Sequence, residues 1–331
     1  MANPYRHLYR RSVRFRRFVR RRKNAAVLWA TQRALAHFRA MPLEEALRAS
    51  DRWGARAYRW LGRPRRLALE HLEIAFGDTL PPSAREHLAR ACFVNVARSF
   101  CEIAHIDTIR ERRDTYFDVV GMEHADAVLA SGRGAVVVTG HLGNWELLAA
   151  YWAWRGHPVA AIARKAEDSG LNDLLVDFRR RQGVETILRE SPSAARQILR
   201  ALKSNALLAM LVDQDTKVQS MSLPFFGRTA RTPVAAASLA VRKDLPVIVA
   251  FIQRRAQGGH RIIVHPPLPV DESLDVGKRI HVLTRAFNEH IEEQVRRNPA
   301  EWVWWHRRWR HGPQAGLDVD APEEPAGLTR A

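Results

Sequence analysis

Beyond Phe117 the sequence changes its rhythm. Short β-branched or aliphatic runs at 135–139, 159–163, 207–212, 247–252 and 261–265 alternate with helically spaced apolar patterns at 145–155, 171–181, 194–203 and 233–243. Strand-sized runs with helices between them predict an α/β fold, a sheet covered by helices on both faces. A last long helix over 276–297 precedes an aromatic-basic run at 301–311.

The chain before this region reads as helical. Leu43, Leu47, Ser50, Gly54, Ala57 and Leu61 recur at helical spacing, and a second helix covers 65–76. Ser83-Ala84-Arg85-Glu86 has the form of a capping box that opens a third helix, with Leu88, Cys92, Asn95, Val96, Ser99 and Ile103 along one side. The expected organisation is a basic arm and interfacial helix over 1–43, one domain over 44–311, and a tail over 312–331. That domain divides into a helical entry, 44–112, and an α/β core, 113–311. The tail has three Pro, three Gly and four acids with few large apolar groups, a composition expected to be disordered.

The charge is local. Of the formal +18, twelve Arg/Lys lie in residues 1–43, where no Asp or Glu occurs, and the other 288 residues carry only +6. Ten of those basic groups fall within 6–23, interleaved with Tyr9, Val13, Phe15, Phe18 and Val19, as in an arm that lies on an anionic surface. Residues 25–41 continue as an interfacial helix, with Arg33, His37 and Arg39 between Val27, Leu28, Leu35 and Phe38. No run of eighteen uncharged apolar residues is present, so a clean membrane span is not expected. A second alternative, a basic nucleic-acid-binding protein, has the arm as its only support. Cys92 and Cys101, the two cysteines, fall within one helical pattern and are expected as buried thiols in a reducing compartment.

The densest chemical signal is Thr139-Gly140-His141-Leu142-Gly143-Asn144-Trp145-Glu146. It places His141 just past a buried strand, with Asn144 as the N-cap of the next helix. Five residues of ideal helix would set His141 and Glu146 about 140° apart around the axis. Gly143 permits an intervening turn, so the expectation is a base with Glu146 as its orienting carboxylate. Arg164 follows the 159–163 strand, and Asp213-Gln214-Asp215 follows the 207–212 strand. Ligands of open α/β sheets bind beyond the carboxyl ends of strands, so these residues are expected in one region. Pro224-Phe225-Phe226-Gly227 is expected either as a packed hairpin or loop, or as an apolar wall beside an acyl chain. No G-x-S-x-G elbow, P-loop or H-E-x-x-H occurs, and Arg307, Arg308 and Arg310 around His306 and His311 oppose a metal site.

His141-Leu142-Gly143-Asn144-Trp145-Glu146 resembles the H-x-x-x-x-[DE] box of the lipid A biosynthesis acyltransferases, within the wider glycerolipid acyltransferase-like class. Asp213-Gln214-Asp215, Pro224-Phe225-Phe226-Gly227 and Trp302-Val303-Trp304-Trp305-His306-Arg307-Arg308 look like that family's later blocks, so the resemblance covers roughly residues 40–312. It implies an α/β domain with a mixed central sheet flanked by helices and a helical N-terminal region, an O-acyltransferase at the cytoplasmic face of a bacterial inner membrane, with acyl carrier protein thioester as donor and a lipid A precursor as acceptor. No metal or organic cofactor is implied, nor a nucleic-acid partner. His141 is the implied base and Glu146 its partner. Arg164, Asp213, Asp215, Asn144, Phe225 and Phe226 are expected at the substrate. The alternative acceptors are another glycolipid, phospholipid or aminolipid, with acyl-CoA or acyl carrier protein as donor.

Overall fold

The computed structural model describes residues 13–310 apart from 167 and 217, so the start of the basic arm and the 312–331 tail lie outside the described residues. The chain begins with four helices, α1 (Val13–Arg39), α2 (Leu43–Trp60), α3 (Gly62–Phe76) and α4 (Pro82–Ala104). Two short helices, α5 (Ile106–Glu111) and α6 (Arg113–Tyr116), lead into strand β1 (Phe117–Val120). Gly54 lets α2 approach α4 closely: a Cβ there would lie 2.5 Å from the Val94 Cα.

Helix α4 starts differently from the expected capping box. Pro81 occupies the N-cap, Pro82 the first helical position, and Ser83 makes no capping bond. Proline has its φ preset for a helix and no N–H to leave unpaired at the first turn, so the helix opens two residues earlier and Ser83 falls inside it.

The arm and the expected interfacial helix merge into α1, which is continuous from Val13. Phe38 is buried between Trp53 of α2 and Phe100 of α4. Elsewhere on α1, Phe18, Val27 and Trp29 are exposed, and Arg22 lies over the Phe18 ring. Among the described residues, no helix is long and apolar enough to cross a membrane.

After β1 the chain runs through α7 (Met122–Ala130), β2 (Ala135–Thr139), α8 (Trp145–Trp154), β3 (Val159–Ala163), α9 (Ser169–Arg181), β4 (Val184–Leu188), α10 (Ala194–Lys203) and β5 (Leu207–Leu211). The hairpin β6 (Ser220–Phe225) and β7 (Arg228–Pro233), α11 (Ala235–Lys243), β8 (Val247–Arg254), β9 (His260–Val264) and α12 (Val276–Arg297) complete it. The main sheet has seven strands in the order β1-β9-β8-β2-β5-β3-β4. It is parallel throughout except where β9 runs antiparallel to β8.

Every residue of β2 is buried because the sheet is covered on both sides. Val136, Val138, Val247, Val249 and Phe251 pack against α3, α4, α11 and α12. Ala135, Val137, Ile248, Ala250 and Ile252 pack against α7 and α8. The central strands therefore cannot slip register without moving a whole apolar set to the wrong face. That rigidity fixes the position of the turns beyond their carboxyl ends.

Candidate active site

β2 and β5 are neighbours, with Thr139 opposite Leu211. His141 and Asp213 each lie two residues further on, so the pairing itself brings them together. His141 Nδ1 is 2.6 Å from Asp213 Oδ1, and the His141 backbone N–H donates to Oδ2 at 2.7 Å. Trp302 Nε1 donates to the same Oδ2 at 2.8 Å. A carboxylate only accepts, so in the neutral ring Nδ1 carries the imidazole proton and Nε2 is left with its lone pair. At 3.2 Å the Gln214 amide nitrogen approaches that lone pair. The His141 side chain is 21% exposed, whereas that of Asp213 is fully buried. Burial alone would raise the Asp213 carboxyl, but the His141 charge and its hydrogen bonds outweigh burial and hold it below the usual carboxylate range.

Glu146 is not the carboxylate at His141. Its two oxygens accept from Arg179 Nε at 2.8 Å and Nη2 at 2.6 Å, a buried two-pronged pair between α8 and α9. The reason is the cap. Asn144 accepts from Leu147 N–H and starts α8 at Trp145, so Glu146 already sits in the first helical turn, packed against α9. The imidazole belongs to the preceding turn and reaches β5. Near the helix N-terminus the Glu146 charge also meets a favourable dipole.

The other expected residues divide by burial. Asn144 is buried with its side chain engaged internally: Oδ1 caps α8 while Nδ2 donates to Glu102 Oε2 at 2.9 Å. Phe225 and Phe226 are buried in an aromatic cluster with Trp302, Trp304 and Trp309 and expose no wall to an acyl chain. Phe226 ends the strand in a left-handed turn, so of the two expectations for this block the packed hairpin is the one realised. Asp215 is buried and contributes charge near Arg308. Arg164 is exposed directly after β3.

The segment 301–306 closes the site. Leu142 and Trp302 form a β-bridge, Val303 N–H donates to His141 O, and Gly143 N–H donates to Glu301 O. Gly143 has φ +57, and a Cβ there would lie 2.1 Å from the Ile252 carbonyl oxygen, so no side chain fits. The Cys92 thiol donates to Trp302 O, and burial pushes its pKa up to about 12. It is a packed hydrogen-bond donor there and not a nucleophile.

His306 packs edge-on against Trp302 and lies 5.7 Å, ring to ring, from His141. Both its ring nitrogens are buried without a partner, and burial pushes its pKa down to about 3, so it stays neutral. His141, Asp213 and His306 present ligand atoms within 4.8 Å of one another, the one possible metal-holding group among the described residues. Three donors already occupy the Asp213 oxygens, which fits an imidazole-orienting role better than metal ligation. Sequence reasoning does not reach Trp302 and His306 as site residues, because nothing in their spacing points back to a strand end 89 positions earlier.

Beneath the turn lies a second polar layer. Glu102 is buried and accepts from Tyr116, Asn144 and Arg254, with His260 Nε2 at 2.8 Å. Burial opposes its charge, but Arg254 and His260 prevail and keep it ionised. Glu301, which accepts the Arg254 backbone N–H, is instead pushed up to about 7, chiefly by burial. A carboxyl raised in the folded chain stabilises it below the unfolded value and loses that contribution as pH rises through about 7. Glu301→Gln removes this loss. Its thermal midpoint relative to the wild type is expected to climb by about 2–5 °C between pH 5 and pH 8. A constant difference across that range in calorimetric scans contradicts the assignment.

The sequence profile described as "Bacterial lipid A biosynthesis acyltransferase" matches residues 14–311. A phosphatidylinositol mannoside acyltransferase of Mycobacterium tuberculosis is 26% identical over 288 residues, 85% of this chain and 88% of its own. The lipid A biosynthesis lauroyltransferase of Escherichia coli is 23% identical over 268 residues, covering 79% and 84%. Among solved structures, a 1-acyl-sn-glycerophosphate acyltransferase from Thermotoga maritima matches 72% of this chain and 98% of its own at 15% identity. Its TM-score of 0.35 is too low to bear on the site.

Proposed function

The chain belongs to the bacterial lipid A biosynthesis acyltransferase family, and from that premise we propose that His141 and Asp213 transfer a fatty acyl group from a thioester to a hydroxyl of a membrane glycolipid. The observation that carries this reading is the buried Asp213 carboxylate on Nδ1 of a partly exposed histidine, an arrangement that in the neutral ring leaves the lone pair on Nε2. His141 Nε2 takes the proton of the acceptor hydroxyl as its oxygen attacks the thioester carbon. The C–S bond breaks, the new ester forms, and the imidazolium returns the proton to the departing thiolate. Asp213 fixes the tautomer and stabilises the imidazolium, as the acid does in a Ser-His-Asp triad. The acceptor hydroxyl displaces Gln214 from Nε2 and takes the place of an enzyme serine, so transfer is direct. Arg164, at the neighbouring strand end, is the group we assign to a lipid phosphate or the developing oxyanion.

Our reading takes acyl carrier protein as donor and a lipid A precursor as acceptor. The mycobacterial relatives, named for a phosphatidylinositol mannoside, favour a second acceptor of the same class, a mannosylated phospholipid. Purified protein offered both acceptors, each with acyl carrier protein and acyl-CoA thioesters, separates these readings by the mass of the acylated product. No ester formation on any glycolipid hydroxyl refutes the proposal as a whole.

Attachment to the cytoplasmic face of a bacterial inner membrane is proposed through the arm and α1. The exposed Phe18, Val27 and Trp29 lie along the same helix as exposed Arg20, Arg21, Arg22 and Lys23. Each basic group near an anionic surface contributes about 1 kcal/mol, so a few suffice to hold the protein there. Deleting residues 1–23 is expected to shift most of the protein from the membrane pellet to the supernatant. Unchanged sedimentation with membranes contradicts the tether.

A further inference from the structure

Away from His141, α3 and the closing segment form a cavity of about 280 Å³. Four guanidinium groups line it: Arg63 and Arg66, neighbours on one face of α3, and Arg307 and Arg310 from the closing segment. Glu70 is the one carboxylate on the wall, and it comes no closer than 4.0 Å to Arg66. Among the described residues, no carboxylate lies within ion-pair distance of Arg63, Arg307 or Arg310. Elsewhere on this surface arginines are commonly paired, as Arg285 is with Glu289 and Arg297 with Glu293. Four like charges held together with a single carboxylate among them are unfavourable in the empty protein. A bound anion relieves this.

The rigid side of the cavity is aromatic. Trp309 is only 9% exposed and lies 4.9 Å, ring to ring, from His71, yet its indole N–H has no acceptor. A buried donor left without an acceptor is costly. His71 is held in place by Trp304 O at 2.7 Å from Nδ1. The same Trp309 ring packs on Phe225 and Trp302, and Trp302 donates to Asp213. Two indole rings therefore separate the cavity from the buried carboxylate of the site.

We propose that this cavity binds a phosphoryl group belonging to one of the two substrates. Arginine suits a phosphate because its planar fork of N–H donors matches the oxygens in pairs. The anion binding stands on the cavity alone, while the assignment to a substrate rests on the acyl-transfer reading above. Two sources share the chemistry: the headgroup of the acceptor lipid and the phosphodiester or pyrophosphate of a pantetheine-type donor.

The test is isothermal titration calorimetry on the full chain at fixed ionic strength. The probes are inorganic pyrophosphate, coenzyme A and a short-chain phosphatidic acid below its micellar concentration. Arg63→Gln/Arg310→Gln is expected to weaken coenzyme A or the phosphatidic acid at least tenfold, and the probe that suffers identifies the source. Arg285→Gln/Arg297→Gln removes the same charge from α12 and is expected to change affinity less than twofold. His141→Ala is expected to bind like the wild type, so failure of the transfer chemistry and failure of this site are told apart. Equal binding by the Arg63/Arg310 variant and wild type overturns the proposal, as does an equal loss in the α12 control. Binding of pyrophosphate alone marks an adventitious anion site and also overturns it.

Discussion

His141→Ala is expected to lower kcat about 10³-fold while leaving the thermal midpoint within a few degrees of wild type. General acid–base catalysis by a positioned side chain contributes typically 10²–10⁴. His141 is the one imidazole in the described site that combines an exposed edge with a buried carboxylate on its far nitrogen. The cost to the fold is small because the ring packs no core. Asp213 also keeps two donors, the backbone N–H of residue 141 and the Trp302 indole. Single-turnover transfer, measured beside a calorimetric scan of the same preparation, checks both halves. A variant that retains more than a tenth of wild-type turnover removes His141 from the chemistry. So does a loss of activity matched by a loss of folded protein.

His141 is legible in the sequence and its partner is not, because the two depend on different things. The 135–139 run, the N-cap at Asn144 and the glycine before it are local, and they place His141 correctly beyond the end of β2. The pairing of β2 with β5 is set by chain that passes through β3, β4 and three helices first, so no local pattern says which strand end lies alongside. Asp213 is visible as an acid at a strand end, yet its spacing suggests only a substrate contact. Glu146 lies nearer to the imidazole in sequence and so looks like its partner. Arg179 decides the matter, since a buried carboxylate goes to the cation that can grip both oxygens.

The same distinction runs through the fold. Runs with strong apolar signals appear where expected, Ala135–Thr139, Val159–Ala163 and Ala194–Lys203 among them. Strands β1 and β4 carry no such signal and escape the sequence reading. Phe117-Asp118-Val119-Val120 is short and half exposed, and Val184–Leu188 carries Glu185 and Thr186 on an edge strand. Edge strands need no continuous apolar run because only one side of their ladder is paired and water reaches them. In sequence, the aromatic-basic run at 301–311 reads as a block of uniform character. Its residues in fact separate sharply: Trp302 donates to the Asp213 carboxylate, Arg308 is buried against Asn288 and Thr232, and Arg307 and Arg310 face an open cavity.

Asp213→Asn and Glu146→Gln change the two carboxylates in the same isosteric way, and they are expected to fail differently. In Asp213→Asn, the backbone N–H of His141 and the Trp302 indole still need an acceptor, so the amide oxygen stays where Oδ2 lies. That turns the amide NH₂ toward Nδ1. Two donors cannot face each other, and the imidazole must carry its proton on Nε2 instead, which removes the lone pair that accepts the substrate proton. The corresponding change in a serine-protease triad costs about 10⁴ in kcat, and a loss of about 10³–10⁴ is expected here with a nearly unchanged fold. Glu146→Gln leaves the Arg179 guanidinium buried without its counter-charge. Breaking such a pair costs about 3–5 kcal/mol, equivalent to a fall of about 4–8 °C in the midpoint for a chain of this size. Its folded fraction, assayed at low temperature, keeps turnover within tenfold of wild type because the His141–Asp213 pair is intact. Measured together, the pair of variants assigns the roles: a Glu146→Gln protein that stays fully folded yet is as inactive as Asp213→Asn would return the orienting role to Glu146.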